Sequence, residues 1–133
     1  MEKAKILVVD DIPENIHTLK NLLKEEYSII ASTSGEKAIG LVKKDPSIDL
    51  IILDILMPQM DGYEVCQILK ADENTKHIPI VFVTSLNDIR SEEKGLSLGA
   101  SDYIHKPINP LLTLNRVALH IKLKRYESKF GVI

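Results

Sequence analysis

Three aspartates, Asp10, Asp11 and Asp54, stand directly behind short apolar runs. Val8-Val9 precedes the first two, and Leu50-Ile51-Ile52-Leu53 precedes the third. Thr84 and Ser85 follow Ile80-Val81-Phe82-Val83, and Lys106 follows Tyr103-Ile104-His105. If these runs are strands of one parallel sheet with the first and third central, the three carboxylates converge at one edge. Like charges a few ångströms apart raise one another's pKa, so a bare acidic triad is unfavourable at neutral pH. A hard divalent cation removes that penalty, and Mg²⁺ takes one or two carboxylates while keeping several waters. Lys106 would bring a compact positive charge to an anionic ligand, on a backbone that Pro107 biases to extended geometry. Each residue alone has a plainer reading. Asp11 could cap a helix beginning at Pro13, Asp54 could be a turn residue before Met57-Pro58, and a Lys-Pro pair is usually a surface turn.

The elements that must position these groups are legible as an alternation. Short runs rich in β-branched residues fall at residues 5–9, 27–31, 50–53, 80–83 and 102–104. Three of them are apolar nearly throughout, as expected of strands covered on both faces. Between them lie apolar stripes at helical spacing: Ile16, Leu19, Leu22 and Leu23; Ala38, Ile39, Leu41 and Val42; Val65, Ile68 and Leu69. Ser34 is placed to cap the second helix, and Asp61-Gly62 to cap or turn into the third. Leu96 and Leu98 make a weaker stripe that Gly99 closes. The last helix starts near Pro110 and carries Leu114, Val117, Ala118 and Ile121. Five strand–helix units in alternation predict a parallel sheet with right-handed crossovers and helices on both faces. Ligands in such sheets bind beyond the carboxyl ends of the strands, where the six polar residues stand.

Bulk properties narrow the classes. The 133 residues suit one domain, 44% are hydrophobic, and 17 basic against 19 acidic side chains give a net charge of −2. That balance supplies no electrostatic drive toward nucleic acid or an anionic membrane. The one cysteine, Cys66, reads as a small core residue, and no Cys/His cluster suggests zinc. The first apolar run is too short for a signal peptide and no stretch is long enough to span a bilayer, so a cytoplasmic location is expected.

Taken together, Val8-Val9-Asp10-Asp11, Asp54-Ile55-Leu56-Met57-Pro58, Met60-Asp61-Gly62, Thr84-Ser85 and Tyr103-Ile104-His105-Lys106-Pro107 resemble the receiver domain of two-component response regulators. The resemblance covers about residues 4–125 and implies a doubly wound, flavodoxin-like α/β fold with strand order 2-1-3-4-5 and five helices. It implies that Asp54 accepts a phosphoryl group from a histidine kinase or histidine phosphotransfer protein, as a carboxylate nucleophile. Asp11, Asp54 and the Leu56 backbone carbonyl would ligate Mg²⁺ (or Mn²⁺), with Asp10 acting through a water. Lys106 and Mg²⁺ would neutralise charge in the loose transition state. Ser85 is small enough to leave room for the phosphoryl group. Thr84 and Tyr103 would be the switch pair, although a buried core tyrosine explains Tyr103 as well. The Lys106-Pro107 bond is a candidate for cis.

The resemblance also sets expectations about output. The chain would be a phosphoacceptor switch, not an enzyme, acting through a downstream protein or a fused output domain, or as a phosphorylation-dependent homodimer. An aspartate-dependent phosphatase would use the same nucleophile, but it carries an Asp two residues further on, where this chain has Leu56. A receiver-like domain that is never phosphorylated usually lacks one of the acids or the Lys, all present here. Leu56 and Leu86 offer no group to orient an attacking water, which points to a long-lived phosphorylated state. His105 is expected to face solvent. The basic residues within 122–129 read as a solvated helix end, with a contact surface as the other reading. A last helix running on through about residues 122–133 is similar to receivers joined to sensor kinases or cyclic-dinucleotide enzymes.

Overall fold

The computed structural model describes residues 2–86 and 88–130. Five strands, β1 (Lys5–Val9), β2 (Ser28–Ser32), β3 (Leu50–Leu53), β4 (Ile80–Thr84) and β5 (Asp102–His105), alternate with five helices. The helices are α1 (Pro13–Leu23), α2 (Gly35–Lys44), α3 (Gly62–Ala71), α4 (Ile89–Ser97) and α5 (Pro110–Phe130). All strand pairings are parallel, in the order β2-β1-β3-β4-β5, so β1 and β3 are neighbours at the centre. Val9 is level with Leu53, and the residues that follow them, Asp10 and Asp54, leave the sheet side by side.

Alternate residues of the uniformly apolar strands feed two separate cores. Leu7, Val9, Ile51, Leu53, Ile80 and Phe82 pack with Ala38, Val42, Val65 and Leu69 on one face. Ile6, Val8, Leu50, Ile52, Val81 and Val83 pack with Leu19, Leu23, Val117 and Ile121 on the other. A strand buried on both faces has no polar side to alternate with, which is why its sequence reads as a continuous run.

Several boundaries follow from capping chemistry. Ser34 accepts a hydrogen bond from the Lys37 amide, and Asp61 forms a reciprocal capping box with Glu64. Gly99 turns the chain out of α4 at φ 104°. The second strand begins one residue later than the apolar run suggests. The Tyr27 amide donates to the Leu23 carbonyl at 3.0 Å, closing the end of α1, so it is taken from the sheet. Of the weak stripe assigned to α4, Leu98 packs against the core at the end of the helix. Leu96 faces outward and the helix instead approaches the sheet at Gly95, where an added Cβ would lie 2.9 Å from the Phe82 ring. Ile68 of α3 is also partly exposed, while Cys66 takes the core position beside it. Among the described residues, no helix is long and apolar enough to cross a membrane.

The start of α3 is held against the loop that carries Asp54. The Gly62 amide donates to the Ile55 carbonyl at 2.9 Å. A Cβ on Gly62 would meet the Asp54 carbonyl oxygen at 2.3 Å and Ile55 Cα at 2.8 Å, both backbone atoms. Gly62→Ala is therefore expected to destabilise the protein by roughly 1–3 kcal/mol through overpacking. Gly40→Ala, in α2 with nothing within 4 Å of the new methyl, should stabilise it. The gain should be about 0.5–1 kcal/mol through helix propensity. Chemical denaturation of the two variants beside the parent protein checks both signs.

Candidate functional site

At the carboxyl ends of β1 and β3, oxygen atoms of Asp10, Asp11 and Asp54 lie within 4.8 Å of one another. Asp10 and Asp54 are buried and Asp11 is partly so. Each buried carboxylate is tied down by the backbone just beyond it. The Ile12 amide donates to Asp10 Oδ1 at 2.9 Å, and the Leu56 amide to Asp54 Oδ1 at 3.3 Å. The other oxygen of each faces Lys106, whose Nζ lies 2.9 Å from Asp10 Oδ2 and 3.4 Å from Asp54 Oδ2. Lys106 follows β5, and its peptide bond to Pro107 is cis.

Asp11 does not cap α1. The residue preceding the helix is Ile12, which makes no side-chain cap. Asp11 Oδ1 is instead buried without a hydrogen-bond partner. A carboxylate oxygen in that position is costly unless something coordinates it. The donor set is all oxygen and rich in carboxylate, the chemistry of Mg²⁺ or Mn²⁺. On these grounds the residues present fit a hard divalent cation.

The charges respond to burial and to one another. Burial pushes the Asp54 carboxyl above its ordinary value; Lys106 draws it back and the Asp10 charge raises it again. For Lys106, burial works to lower the ammonium, but its bond to Asp10 and the Asp54 charge outweigh that and hold it above the usual lysine value. One cation serves two buried anions.

The remaining residues singled out from the sequence fall around this edge. Thr84 ends β4, fully buried, and its hydroxyl accepts from the Leu86 amide at 3.3 Å. Ser85 is exposed beside it, and the Leu56 side chain is also exposed. Tyr103 is buried; its ring packs edge-on to Phe82 with centroids 6.0 Å apart, and its hydroxyl has no hydrogen-bond partner. Burial, with the nearby Tyr63 phenol, raises its pKa. His105 is partly exposed, in line with the expectation that it faces solvent, but its ring has partners. Its Nδ1 contacts the Leu86 carbonyl oxygen at 3.0 Å and its Nε2 contacts Glu92, so it joins β5 to the β4–α4 loop and to α4. Nothing local in the sequence shows that α4 brings Glu92 there. Gly62 is the other participant, which sequence reasoning took only as part of a cap or turn into α3; its packing against the Asp54 carbonyl depends on a nonlocal approach.

A buried acidic pair at the ends of the two central strands, balanced by a lysine from an edge strand, is the arrangement of a receiver. The family model for the response regulator receiver domain matches residues 6–118, and the chain belongs to that family, which acts in two-component signalling. It is 41% identical over 128 residues to a probable cyclic di-GMP phosphodiesterase of Vibrio cholerae, covering 96% of this chain and 29% of that protein. It is 42% identical to the response regulator PleD of Caulobacter vibrioides, over 86% of this chain and 25% of that protein. The chain thus spans under a third of the length of either relative. A crystal structure of a putative response regulator from Chloroflexus aurantiacus superposes with a TM-score of 0.86 at 31% identity, covering 91% of this chain and 99% of that one.

The raised Asp54 carboxyl has a consequence for stability. A carboxyl whose folded value lies above its ordinary 3.8 favours folding when protonated and opposes it when ionised. In metal-free buffer Asp54→Asn should therefore be more stable than the parent at neutral pH. The gain should vanish as pH falls through the raised value toward the ordinary one. Denaturant midpoints measured against pH check it, and a variant less stable at neutral pH would contradict it.

Proposed function

We propose that this chain accepts a phosphoryl group on Asp54 from a histidine kinase or histidine phosphotransfer protein, and that the change is read by another protein or a fused output domain. The observation that carries the reading is Lys106 Nζ held between Asp10 and Asp54, beside an Asp11 oxygen with no partner. Asp11, Asp54 and the Leu56 carbonyl would hold Mg²⁺, with Asp10 contributing through a water. Bound there, the ion would neutralise charge on the phosphoryl oxygens. We assign the receiver core to about residues 4–125, with the rest of α5 extending from it.

In the transfer, an Asp54 carboxylate oxygen forms a bond to phosphorus as the phosphorus–nitrogen bond of the donor phosphohistidine breaks. The electron pair of that bond leaves on the imidazole, which takes up a proton. The Leu56 amide orients the Asp54 carboxylate, and Lys106 can move from Asp54 to an equatorial phosphoryl oxygen without leaving Asp10. Ser85, small and exposed, leaves the approach open. Because the transition state is loose, positioning and charge neutralisation supply most of the catalysis. Thr84 offers its hydroxyl to the phosphoryl group, and Tyr103 packs behind it as the second half of the switch. The response is a shift between two packings of the Thr84–Leu86 segment and α4.

Incubation with acetyl phosphate and Mg²⁺ should add one phosphoryl mass to the intact protein. Asp54→Asn and a chelator should each abolish the gain. Failure of the parent protein to gain mass, together with failure to bind Mg²⁺ in a titration, would leave a receiver-like interaction domain that is not a phosphoacceptor.

The apolar side chains of Leu56 and Leu86 cannot orient a hydrolytic water, so the phosphorylated form should persist. Leu56→Glu, which places a carboxylate at the exposed mouth of the site, should shorten its lifetime several-fold or more. Decay of the phosphoryl mass after removal of the donor measures both; fast decay of the parent form would contradict the proposal.

A further inference from the structure

We propose that the open edge of β2 is a docking groove for an extended acidic segment of a partner protein, which adds to the sheet as a further strand alongside α2. β2 ends the sheet and pairs only with β1. The Ser28 amide donates to the Ala4 carbonyl at 2.9 Å, and the Ser32 carbonyl accepts from the Asp10 amide at 3.2 Å. Successive residues of a strand aim their backbone groups to opposite sides, so those of Ile29 and Ala31 point away from β1. Among the described residues no strand takes them up. Edge strands are commonly guarded by a lysine, a proline or a bulge. Ser28-Ile29-Ile30-Ala31-Ser32 carries neither charge nor proline, and its register with β1 runs without a bulge.

A cavity of about 470 Å³ lies beside this edge, with residues 31–33 on one side and Lys37, Gly40, Leu41 and Lys44 of α2 on the other. Its middle is open: a Cβ built on Gly40 meets nothing within 4 Å. Its only charged lining groups are Lys37 and Lys44, both exposed and, among the described residues, neither in an ion pair. A separation of seven residues puts the two lysines on one side of the helix, about 10 Å apart along its axis. A strand advances about 3.3 Å per residue and presents every second side chain to the same face. The lysines therefore match acidic residues four apart, and the space at Gly40 takes an apolar side chain from the residue midway between them. Backbone hydrogen bonds to Ile29 and Ala31 supply affinity in such a complex, and the alternate side chains supply selectivity. A second copy of this chain would set lysine against lysine, so the charges favour an acidic partner. Docking here uses none of the acidic-edge residues, and its test uses protein never exposed to a phosphodonor.

Fluorescence anisotropy of the labelled, end-capped peptide Ser-Glu-Thr-Val-Thr-Glu-Ser, titrated with the whole chain up to millimolar concentration, should show saturable binding that weakens as salt rises. The same peptide with both glutamates replaced by lysine should bind at least tenfold more weakly. Lys37→Glu and Lys44→Glu together should reverse that preference. Methylation of one alternate set of peptide amides should abolish binding and methylation of the other set should leave it, because only one side of an added strand faces β2. Ala31→Pro deletes an amide that points away from β1, and Gly40→Leu fills the cavity. Each should weaken binding at least tenfold while circular dichroism stays unchanged, and Gly40→Leu keeps the test decisive should Ala31→Pro fail to fold. Absence of saturable binding overturns the proposal. So does a complex indifferent to which amides are methylated, or one that Gly40→Leu leaves intact. Self-association of the chain that Gly40→Leu abolishes would make the occupant a second copy, which overturns it too.

Discussion

Two carboxylates buried side by side at the ends of neighbouring central strands repel each other, and the site is built around that repulsion. Lys106 reaches them from β5, across a sequence separation of 96 residues to Asp10 and 52 to Asp54. The pairing is tertiary throughout, so it exists only once β1, β3 and β5 are in register. Taking these charges out of water costs several kcal/mol per ion, which a single ammonium shared between two anions does not fully offset. The upward shift of the Asp54 carboxyl is the visible remainder of that imbalance. A site left short of positive charge has a built-in affinity for a cation.

That tension persists because the surrounding structure allows the acids little relief. Asp10 and Asp54 are each held by an amide two residues on, and the strands before them are buried on both faces. The loop after Asp54 is clamped by Gly62, whose amide bonds Ile55 and whose missing Cβ lets α3 start against the Asp54 carbonyl. In the same loop Gln59 adopts φ 68°, a left-handed conformation uncommon for a residue with a side chain. Asp11 is the exception to this restraint. It is only partly buried and one of its oxygens has no partner.

What was legible in the sequence was what repeats locally. Uninterrupted apolar runs identified β1, β3 and β4 because burial on both faces leaves no room for alternation, and the polar residues following these runs and β5 marked the site edge. Caps at Ser34 and Asp61 were readable because capping is settled within three residues. What failed to show was close approach between distant segments. Gly95 carries α4 onto Phe82, a contact that a search for apolar stripes passes over in favour of Leu96. His105 looked outward until α4 supplied Glu92 and the β4–α4 loop supplied a carbonyl. In α5 the inward residues Val117 and Ile121 were identified, while Leu119, Leu123 and Tyr126 are exposed on another side of the helix. A helix with two apolar faces has no single direction of hydrophobicity to detect.

The same contacts that escaped notice in the sequence connect the charged edge to α4. Thr84 accepts from the Leu86 amide, the Leu86 carbonyl meets His105, and His105 meets Glu92 on α4. Beneath this chain, Tyr103 lies between Phe82 and His105 with its hydroxyl lacking a partner. Drawing the Thr84 side chain toward the acids by rotation about χ1 would carry its oxygen away from the Leu86 amide, whereas donation of its proton alone would not. The freed segment would then shift the carbonyl that positions His105 and, through it, the first turns of α4. The Tyr103 hydroxyl has no hydrogen-bond partner, so no side-chain hydrogen bond would have to break for its ring to follow that shift. Such a coupling would need no long-range rigidity, only a Thr84 side chain with two acceptable rotamers, one on the Leu86 amide and one nearer the acids.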